Sequence, residues 1–121
     1  MANPFVHVEL HTQDPAQAKK FYKSLFSWGL EDLPMGEGTY TMINVGEGTG
    51  GGIMKNPVPE TPSHWLAYVL VGDVKGSTKK ARELGATVVQ EVTEIPDYGW
   101  FSVIVDPAGA ALGLWQPKAQ K

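Results

Sequence analysis

Three polar side chains occupy every second position near the start of the chain: His7, Glu9 and His11. Alternate residues of a β-strand point to the same face, so a strand here would place all three on one side. Imidazole titrates near neutral pH and a carboxylate can orient it, so His7 and Glu9 together suit proton transfer. The pattern leaves open that they only hydrogen-bond each other or a tyrosine. We expect His11, near the strand end, to be exposed or part of a turn.

The same three side chains are a poor metal site by themselves. Side chains two residues apart lie about 6.6 Å apart along a strand, so their convergence on one ion would strain the strand or the rotamers. The chain also contains no cysteine, which excludes thiolate metal sites, disulfides and a cysteine nucleophile. Such a composition suits a reducing cytosol.

The elements of the first half follow from hydrophobic periodicity. Alternation predicts a strand over residues 5–11, in which Val6, Val8 and Leu10 oppose the polar side chains. A helix should follow, with Asp14 as its N-cap, Pro15 at its first position and Gly29 as its stop. Its apolar stripe has helical spacing and consists of Ala18, Phe21, Tyr22 and Leu25. A weak strand near residue 30, a strand over residues 39–45 and a short glycine-rich strand complete this half.

The same order of elements recurs in the second half, after a proline-rich segment over residues 56–62 that contains Pro57, Pro59 and Pro62. A strand, a helix from Asp73 to Gly85 and three further strands are predicted there. Modules over residues 4–55 and 63–117 would each leave one sheet face bare, so two of them should pack together. A ferredoxin-like α+β domain without true duplication is the alternative.

Aligning the two modules relates residues in pairs. The pairs are Asp14 with Asp73, His7 with Leu66, Gly38 with Gly99, Gly48 with Gly109, Gly52 with Gly113, and Met54 with Trp115.

Composition narrows the function classes. The 121 residues carry 13 acidic and 10 basic side chains, a net charge of -3, whereas a nucleic-acid binder usually has a basic surplus. No run approaches the roughly 18 apolar residues that a membrane span needs, and the N-terminus does not resemble a signal peptide. We therefore expect a cytoplasmic protein that binds neither nucleic acid nor membrane.

Two segments carry a family resemblance: HVELHTQDPAQAKKFYKSLFSW at residues 7–28 and DPAGAALGLWQ at residues 106–116. Together with the rest of residues 4–117 they resemble the vicinal oxygen chelate superfamily, and within it the small glyoxalase, bleomycin-resistance or dioxygenase-like proteins. The resemblance implies an α+β fold in which two βαβββ modules form a curved eight-stranded mixed sheet around a concave site, often in a homodimer. Activities in this superfamily vary widely, so the resemblance specifies the fold better than the reaction.

In metal-dependent relatives, the first and last strand of each module supply one ligand each, typically histidine or glutamate. On this chain those positions hold His7, Gly52, Leu66 and Gly113, and only His7 offers a donor. His64 lies two residues before Leu66, too far along the strand to replace it. We therefore expect a degenerate metal site and no cofactor, with a divalent ion possible but disfavoured.

The two glycines could instead leave room for a flat ligand between aromatic side chains. Tyr68 and Trp115 would flank that space, although both could equally be core residues, and we expect Trp65 in the core. The predicted ligand-binding residues are Tyr68, Trp115, Gly52, Gly113 and Leu66.

The leading hypothesis is binding of a small, partly aromatic molecule without a conventional metal. The alternative is a lyase, isomerase or dioxygenase-type enzyme that uses His7 and Glu9, with or without a divalent metal. A third possibility is a degenerate paralogue that only dimerises.

Overall fold

The computed structural model describes residues 2–35, 38–58 and 61–118. Its first five elements are β1 (Phe5–Thr12), α1 (Pro15–Leu25), β2 (Gly29–Met35), β3 (Gly38–Asn44) and β4 (Gly51–Lys55). The next five are β5 (His64–Leu70), α2 (Val74–Glu83), β6 (Thr87–Ile95), β7 (Gly99–Val105) and β8 (Ala111–Pro117). The order βαβββ thus occurs twice, and the predicted α+β class, with two helices and eight strands of mixed sheet, is confirmed.

The chain divides into two compact units, which we describe separately. The N-terminal unit is His7–Leu66, and the C-terminal unit comprises residues 2–6 and 67–118 of the described chain. Between β4 and β5 lie Pro57 and Pro62, whereas Pro59 falls outside the described residues.

Both helices begin at the predicted aspartates. Asp14 Oδ1 accepts the backbone N–H of Gln17 at 3.1 Å, and Asp73 Oδ1 accepts that of Gly76 at 3.2 Å. A Cβ on Gly76 would overlap the Asp73 carboxylate, so the cap itself explains a glycine in the first turn of α2. α1 ends at Leu25, earlier than predicted, because the next residue has extended backbone. Neither α1 nor α2 is long and apolar enough to cross a membrane.

The strands of the N-terminal unit follow the order β2-β3-β4-β1, with β1 parallel to β4 and the other pairs antiparallel. Leu10, Ile43 and Ile53 are buried on one face, where Ala18 and Tyr22 of α1 pack against them. Side chains alternate along a strand, so residues such as Glu9 point to the opposite face. We call this opposite face the helix-free face of the N-terminal unit.

The strands of the C-terminal unit follow the order β5-β8-β7-β6, again with one parallel pair, β5 with β8. α2 covers one face, where Val74, Ile104 and Leu114 form the core. On the same face the hydroxyl groups of Thr78 and Ser102 lie 2.8 Å apart, and Ser102 is fully buried. The opposite face, which we call the helix-free face of the C-terminal unit, carries Tyr68, Phe101 and Trp115.

The outer side of α1 is unusually apolar. Phe21 and Leu25 are 56% and 57% exposed, and Phe26 follows them at 44%. Trp65, which was expected in the core, keeps 40% of its surface exposed. Its ring contacts that of Tyr22 in α1 at 5.5 Å, and this edge-on contact leaves the rest of the indole exposed.

Candidate functional site

Four side chains on the helix-free face of the N-terminal unit are linked by hydrogen bonds. His7 Nε2 lies 2.7 Å from Tyr40 Oη, and that hydroxyl donates to Glu9 Oε2 at 2.7 Å. His11 Nε2 lies 2.7 Å from the other carboxylate oxygen, Glu9 Oε1. We call these four residues the polar cluster. It joins two imidazoles, a phenol and a carboxylate through three short bonds.

Strand geometry explains why these side chains meet. His7, Glu9 and His11 are alternate residues of β1 and share its helix-free face. Tyr40 comes from β3, on the far side of β4, where Gly52 pairs with Glu9 on one side and with Met42 on the other. A Cβ on Gly52 would overlap the Tyr40 hydroxyl. Tyr40 reaches Glu9 because the intervening strand has no side chain there.

Glu9 is only 9% exposed, and its environment favours the anion. Burial alone raises the pKa of a carboxyl group, but hydrogen bonds from His11, His7 and Tyr40 outweigh burial here. The pKa of Glu9 is therefore held well below its usual range. His7 Nε2 lies 3.6 Å from Glu9 Oε2, so a positive charge on His7 would form an ion pair with this carboxylate.

The two histidines of the polar cluster differ in exposure. The His7 side chain is 28% exposed, whereas those of His11 and Glu9 are 10% and 12% exposed. The expectation that His11 is exposed or in a turn is therefore wrong. Its bond to Glu9 holds it inward, and the ring of His64 lies edge-on to it at 5.1 Å. His7 is the member of the cluster that a small molecule can reach.

The other predicted site residues fall into two groups. Gly52 lies beneath Tyr40 in the N-terminal unit, and Leu66 is buried at 2% exposure. In the C-terminal unit, Tyr68 pairs with Gly113, and its ring fills the space that a Cβ on this glycine would need. Trp115 is half-buried. The space expected beside each glycine is thus occupied by a tyrosine ring.

Sequence reasoning did not identify Tyr40. It named a tyrosine only as an unspecified partner for His7 and Glu9. Two features of the sequence could have pointed to it. The alignment of Gly38 with Gly99 indicates the face of β3 on which Tyr40 lies, and Gly52 on the next strand leaves space on that face. Strand order, which brings β4 between β1 and β3, was not available from the pattern.

The resemblance relates His7, Gly52, Leu66 and Gly113 to metal-ligand positions, and most of these residues offer no donor. Three of the four have no nitrogen or oxygen on their side chains, and tyrosine rings occupy the space beside Gly52 and Gly113. Within residues 2–35, 38–58 and 61–118, no three histidine or acidic side chains are grouped so that they could hold an ion. The residues present do not fit a four-ligand metal centre.

Comparison with known proteins places most of the chain in one family. Residues 7–114 match the family model described as a glyoxalase-like domain. The chain is 41% identical over 114 residues to the putative glyoxylase CFP32 of Mycobacterium bovis, covering 90% of this chain and 44% of that protein. It is 25% identical over 124 residues to the anthracycline biosynthesis protein DnrV of Streptomyces peucetius, covering 89% and 45%. The chain therefore spans less than half the length of these relatives.

Solved structures show the same fold. Methylmalonyl-CoA epimerase from Mycobacterium tuberculosis superimposes with a TM-score of 0.72 at 15% identity, covering 95% of this chain and 88% of that one. At this level of identity the similarity concerns the fold alone.

Proposed function

Because the chain belongs to the glyoxalase-like family of the vicinal oxygen chelate superfamily, we propose that it is an enzyme of the lyase or isomerase class. It would move a proton on a small carbonyl compound bound beside His7. One observation carries this proposal: a buried, anionic Glu9 joined through Tyr40 to the reachable His7. A buried carboxylate that holds three other titratable side chains is typical of catalytic sites.

The chemistry follows from the roles of the groups. His7 takes the proton from the carbon next to the substrate carbonyl, and this carbon can release a proton because the carbonyl oxygen accepts the electron pair. The positive charge gained by His7 is compensated by Glu9, whose Oε2 lies 3.6 Å from Nε2. Return of the proton to a neighbouring atom, or to the other face of the same carbon, completes an isomerisation.

Two comparisons support this class of reaction. The relative at 41% identity is described as a putative glyoxylase, and that match covers 90% of this chain. The glyoxalase-like family model spans residues 7–114 and so includes every member of the polar cluster. We further propose that proton transfer here proceeds without a four-ligand metal, because Gly52, Leu66 and Gly113 offer no donor. Metal analysis of protein purified without metal affinity, and thermal shifts across divalent ions, test this point; a stoichiometric ion lost in His7→Ala would contradict it.

Deuterium exchange tests the proposed function and does not require the product to be identified. The protein is incubated in D2O with a panel of small α-hydroxy and α-keto compounds and their thiol adducts, and NMR follows the C–H beside the carbonyl. We expect exchange that falls about 100-fold or more in His7→Gln, in line with general acid–base catalysis. Tyr40→Phe should also be slower, whereas Tyr98→Phe, at an exposed tyrosine, should match the wild type. Equal exchange by wild type and His7→Gln would contradict the proposal.

A second candidate function is binding of a flat apolar ligand, the leading hypothesis from the sequence. The helix-free face of the C-terminal unit supports it, since Phe101 and Trp115 are cross-strand partners there and Tyr68 contacts Phe101 at 6.3 Å. Trp115 is only half-buried and so could stack on a ligand. Saturable thermal stabilisation by an aromatic compound, lost in Trp115→Ala but kept in His7→Gln, would favour this candidate.

We also propose that the protein works in the cytoplasm as a homodimer. The absence of cysteine agrees with a reducing compartment. The apolar outer side of α1, formed by Phe21, Leu25 and Phe26 with Trp65, supports pairing with a second copy.

A further inference from the structure

We propose that Tyr40, held in place by Glu9 and His11, fixes neutral His7 in the tautomer that carries its proton on Nε2. Nδ1 is then the atom of His7 that accepts the substrate's proton. Only this second statement rests on the proposed function, since the tautomer is a property of the protein alone.

The argument starts at Glu9, which can only accept hydrogen bonds while it is ionised. Both of its oxygens have a neighbour at 2.7 Å, Tyr40 Oη at Oε2 and His11 Nε2 at Oε1. Both neighbours must therefore donate. The hydrogen bonds that hold the pKa of Glu9 low keep it in the ionised form.

The Tyr40 hydroxyl has a single proton, and that proton is used at Glu9. Towards His7 the hydroxyl can then only accept. The distance of 2.7 Å between His7 Nε2 and Tyr40 Oη is that of a hydrogen bond, so the proton of this bond must come from Nε2. A neutral imidazole carries one N–H, which leaves Nδ1 without a proton and able to take one.

His11 is a positioning residue in this arrangement. It acts by occupying Glu9 Oε1, which leaves Oε2 to the Tyr40 hydroxyl. Its own side chain is 10% exposed and is packed against the ring of His64. The ionised Glu9 sets the direction of the bonds in the polar cluster, and His11 keeps one of its two oxygens occupied.

This direction has a consequence for the reaction. A proton accepted at Nδ1 makes His7 an imidazolium whose Nε2–H still points at Tyr40, so no bond of the polar cluster must break. In the opposite tautomer the basic nitrogen would be Nε2, which lies against the Tyr40 hydroxyl. The substrate's proton would then have to reach a nitrogen that already faces Tyr40. The polar cluster thus leaves Nδ1 as the basic nitrogen of His7.

Nitrogen NMR of the protein without substrate tests the inference directly. The chain has three histidines, so a long-range 1H–15N spectrum of uniformly 15N-labelled protein contains three ring systems, assigned with His7→Gln and His64→Gln. At a pH at which the His7 ring is neutral, we expect a protonated Nε2 and a bare Nδ1. A proton on Nδ1 of His7 in the wild type would overturn the inference.

Glu9→Gln provides a second test. An amide has one acceptor oxygen and one donor NH2, whereas the carboxylate has two acceptor oxygens. If the amide oxygen stays with Tyr40, His11 Nε2 must become an acceptor. If the oxygen turns to His11, the amide donates to Tyr40, Tyr40 donates to His7, and the proton of His7 moves to Nδ1.

We expect at least one of the two histidines to change tautomer in Glu9→Gln, and retention of both wild-type tautomers would overturn the inference. Tyr98→Phe is the matched control and should leave both ring systems unchanged. No substrate enters these spectra, so their outcome is independent of the exchange assay. Correct tautomers without deuterium exchange would contradict the proposed function alone, and exchange with a proton on Nδ1 would contradict the inference alone.

Discussion

Glu9 is the residue on which the polar cluster depends, because its carboxylate is the acceptor for two of the other three members. Its carboxylate accepts from His11 and from Tyr40, and His7 is connected to it through Tyr40. Removal of this one charge leaves two buried or half-buried donors without an acceptor. We therefore expect a substitution of Glu9 to lower both the stability of the fold and the proposed proton transfer at His7.

Acid should destabilise the wild type through Glu9. Its folded-state pKa lies below the ordinary value of 4.5, so its contribution to stability is fully present above that pH and is lost as pH falls below it. We expect Glu9→Gln to be less stable by about 1–3 kcal/mol at pH 7, because the amide has one acceptor oxygen and one of the two buried donors, His11 or Tyr40, loses its acceptor. The difference should shrink as the pH is lowered from 5 to 3.

Urea unfolding at several pH values in this window measures that difference. Glu91→Gln is the control, since this glutamate is exposed on β6 and should give a small difference at every pH. Parallel stability curves for the wild type and Glu9→Gln would contradict the prediction.

Residue identity alone predicted part of the site. The two-residue spacing of His7 and Glu9 placed them on one face, and the structure has them there. The same spacing applied to His11, yet its nearness to the strand end suggested exposure. What decided its burial was the reach of the glutamate side chain, which bridges about 6.6 Å of strand to touch both neighbours. Such side-chain contacts depend on rotamers that a sequence pattern does not specify.

At the scale of the elements, β4 separates two roles of glycine. A Cβ on Gly51 would overlap the backbone carbonyl of Val8 in β1, whereas a Cβ on Gly52 would overlap the Tyr40 ring. The backbone of Val8 can move only if the parallel strands β1 and β4 separate, whereas the Tyr40 side chain can adopt another rotamer. The two adjacent glycines should therefore respond differently to the same substitution.

We expect Gly51→Ala to destabilise the fold by about 1–3 kcal/mol, as overpacking does. Gly52→Ala should be better tolerated but should displace Tyr40 and release the tautomer of His7. Urea unfolding and the 15N spectrum of the histidines together measure the two effects. Equal loss of stability in both variants, or an unchanged His7 spectrum in Gly52→Ala, would contradict this assignment of roles.

One buried pair of hydroxyl groups contributes to the attachment of α2 to its sheet, beside the apolar core. Thr78 Oγ1 lies 2.5 Å from the backbone carbonyl of Val74 and 2.8 Å from Ser102 Oγ. Thr78→Val should destabilise by about 1–3 kcal/mol, because Ser102 is then buried without this partner. The double variant Thr78→Val/Ser102→Ala should recover part of the loss in thermal unfolding. Strict additivity of the two single variants would contradict this pairing.

At the scale of the molecule, the two modules share the element order βαβββ but carry different types of side chain on their helix-free faces. The alignment relates His7 to Leu66 and Gly52 to Gly113, and the strands concerned occupy equivalent places in their sheets. Polar residues line the helix-free face of the first module, and aromatic residues that of the second. Periodicity and turn residues predicted this duplication because they depend on the backbone. The sequence pattern did not reveal that Tyr40 packs over Gly52 and Tyr68 over Gly113, because these contacts depend on side-chain packing.

Self-association belongs to the same scale. If the outer side of α1 joins two copies, Phe21→Ser/Leu25→Ser should convert a dimer into a monomer in sedimentation velocity. Both side chains are more than half exposed, so the variant should fold with little loss of stability. Val89→Ser, at another exposed apolar residue (56%) on β6, should leave the dimer intact. A wild-type protein that sediments as a monomer at high micromolar concentration would contradict the proposed homodimer.

The parallel pairing of β1 with β4 also bears on how the chain folds. β2 and β3 are consecutive in sequence and can form a hairpin early, whereas β1 must close a loop that contains α1 and that hairpin before it meets β4. Closing long loops costs entropy before contacts repay it, so β1 should dock late. During refolding, secondary structure should therefore return before His7, Glu9 and Tyr40 meet, and the last kinetic step should be the one that assembles the polar cluster.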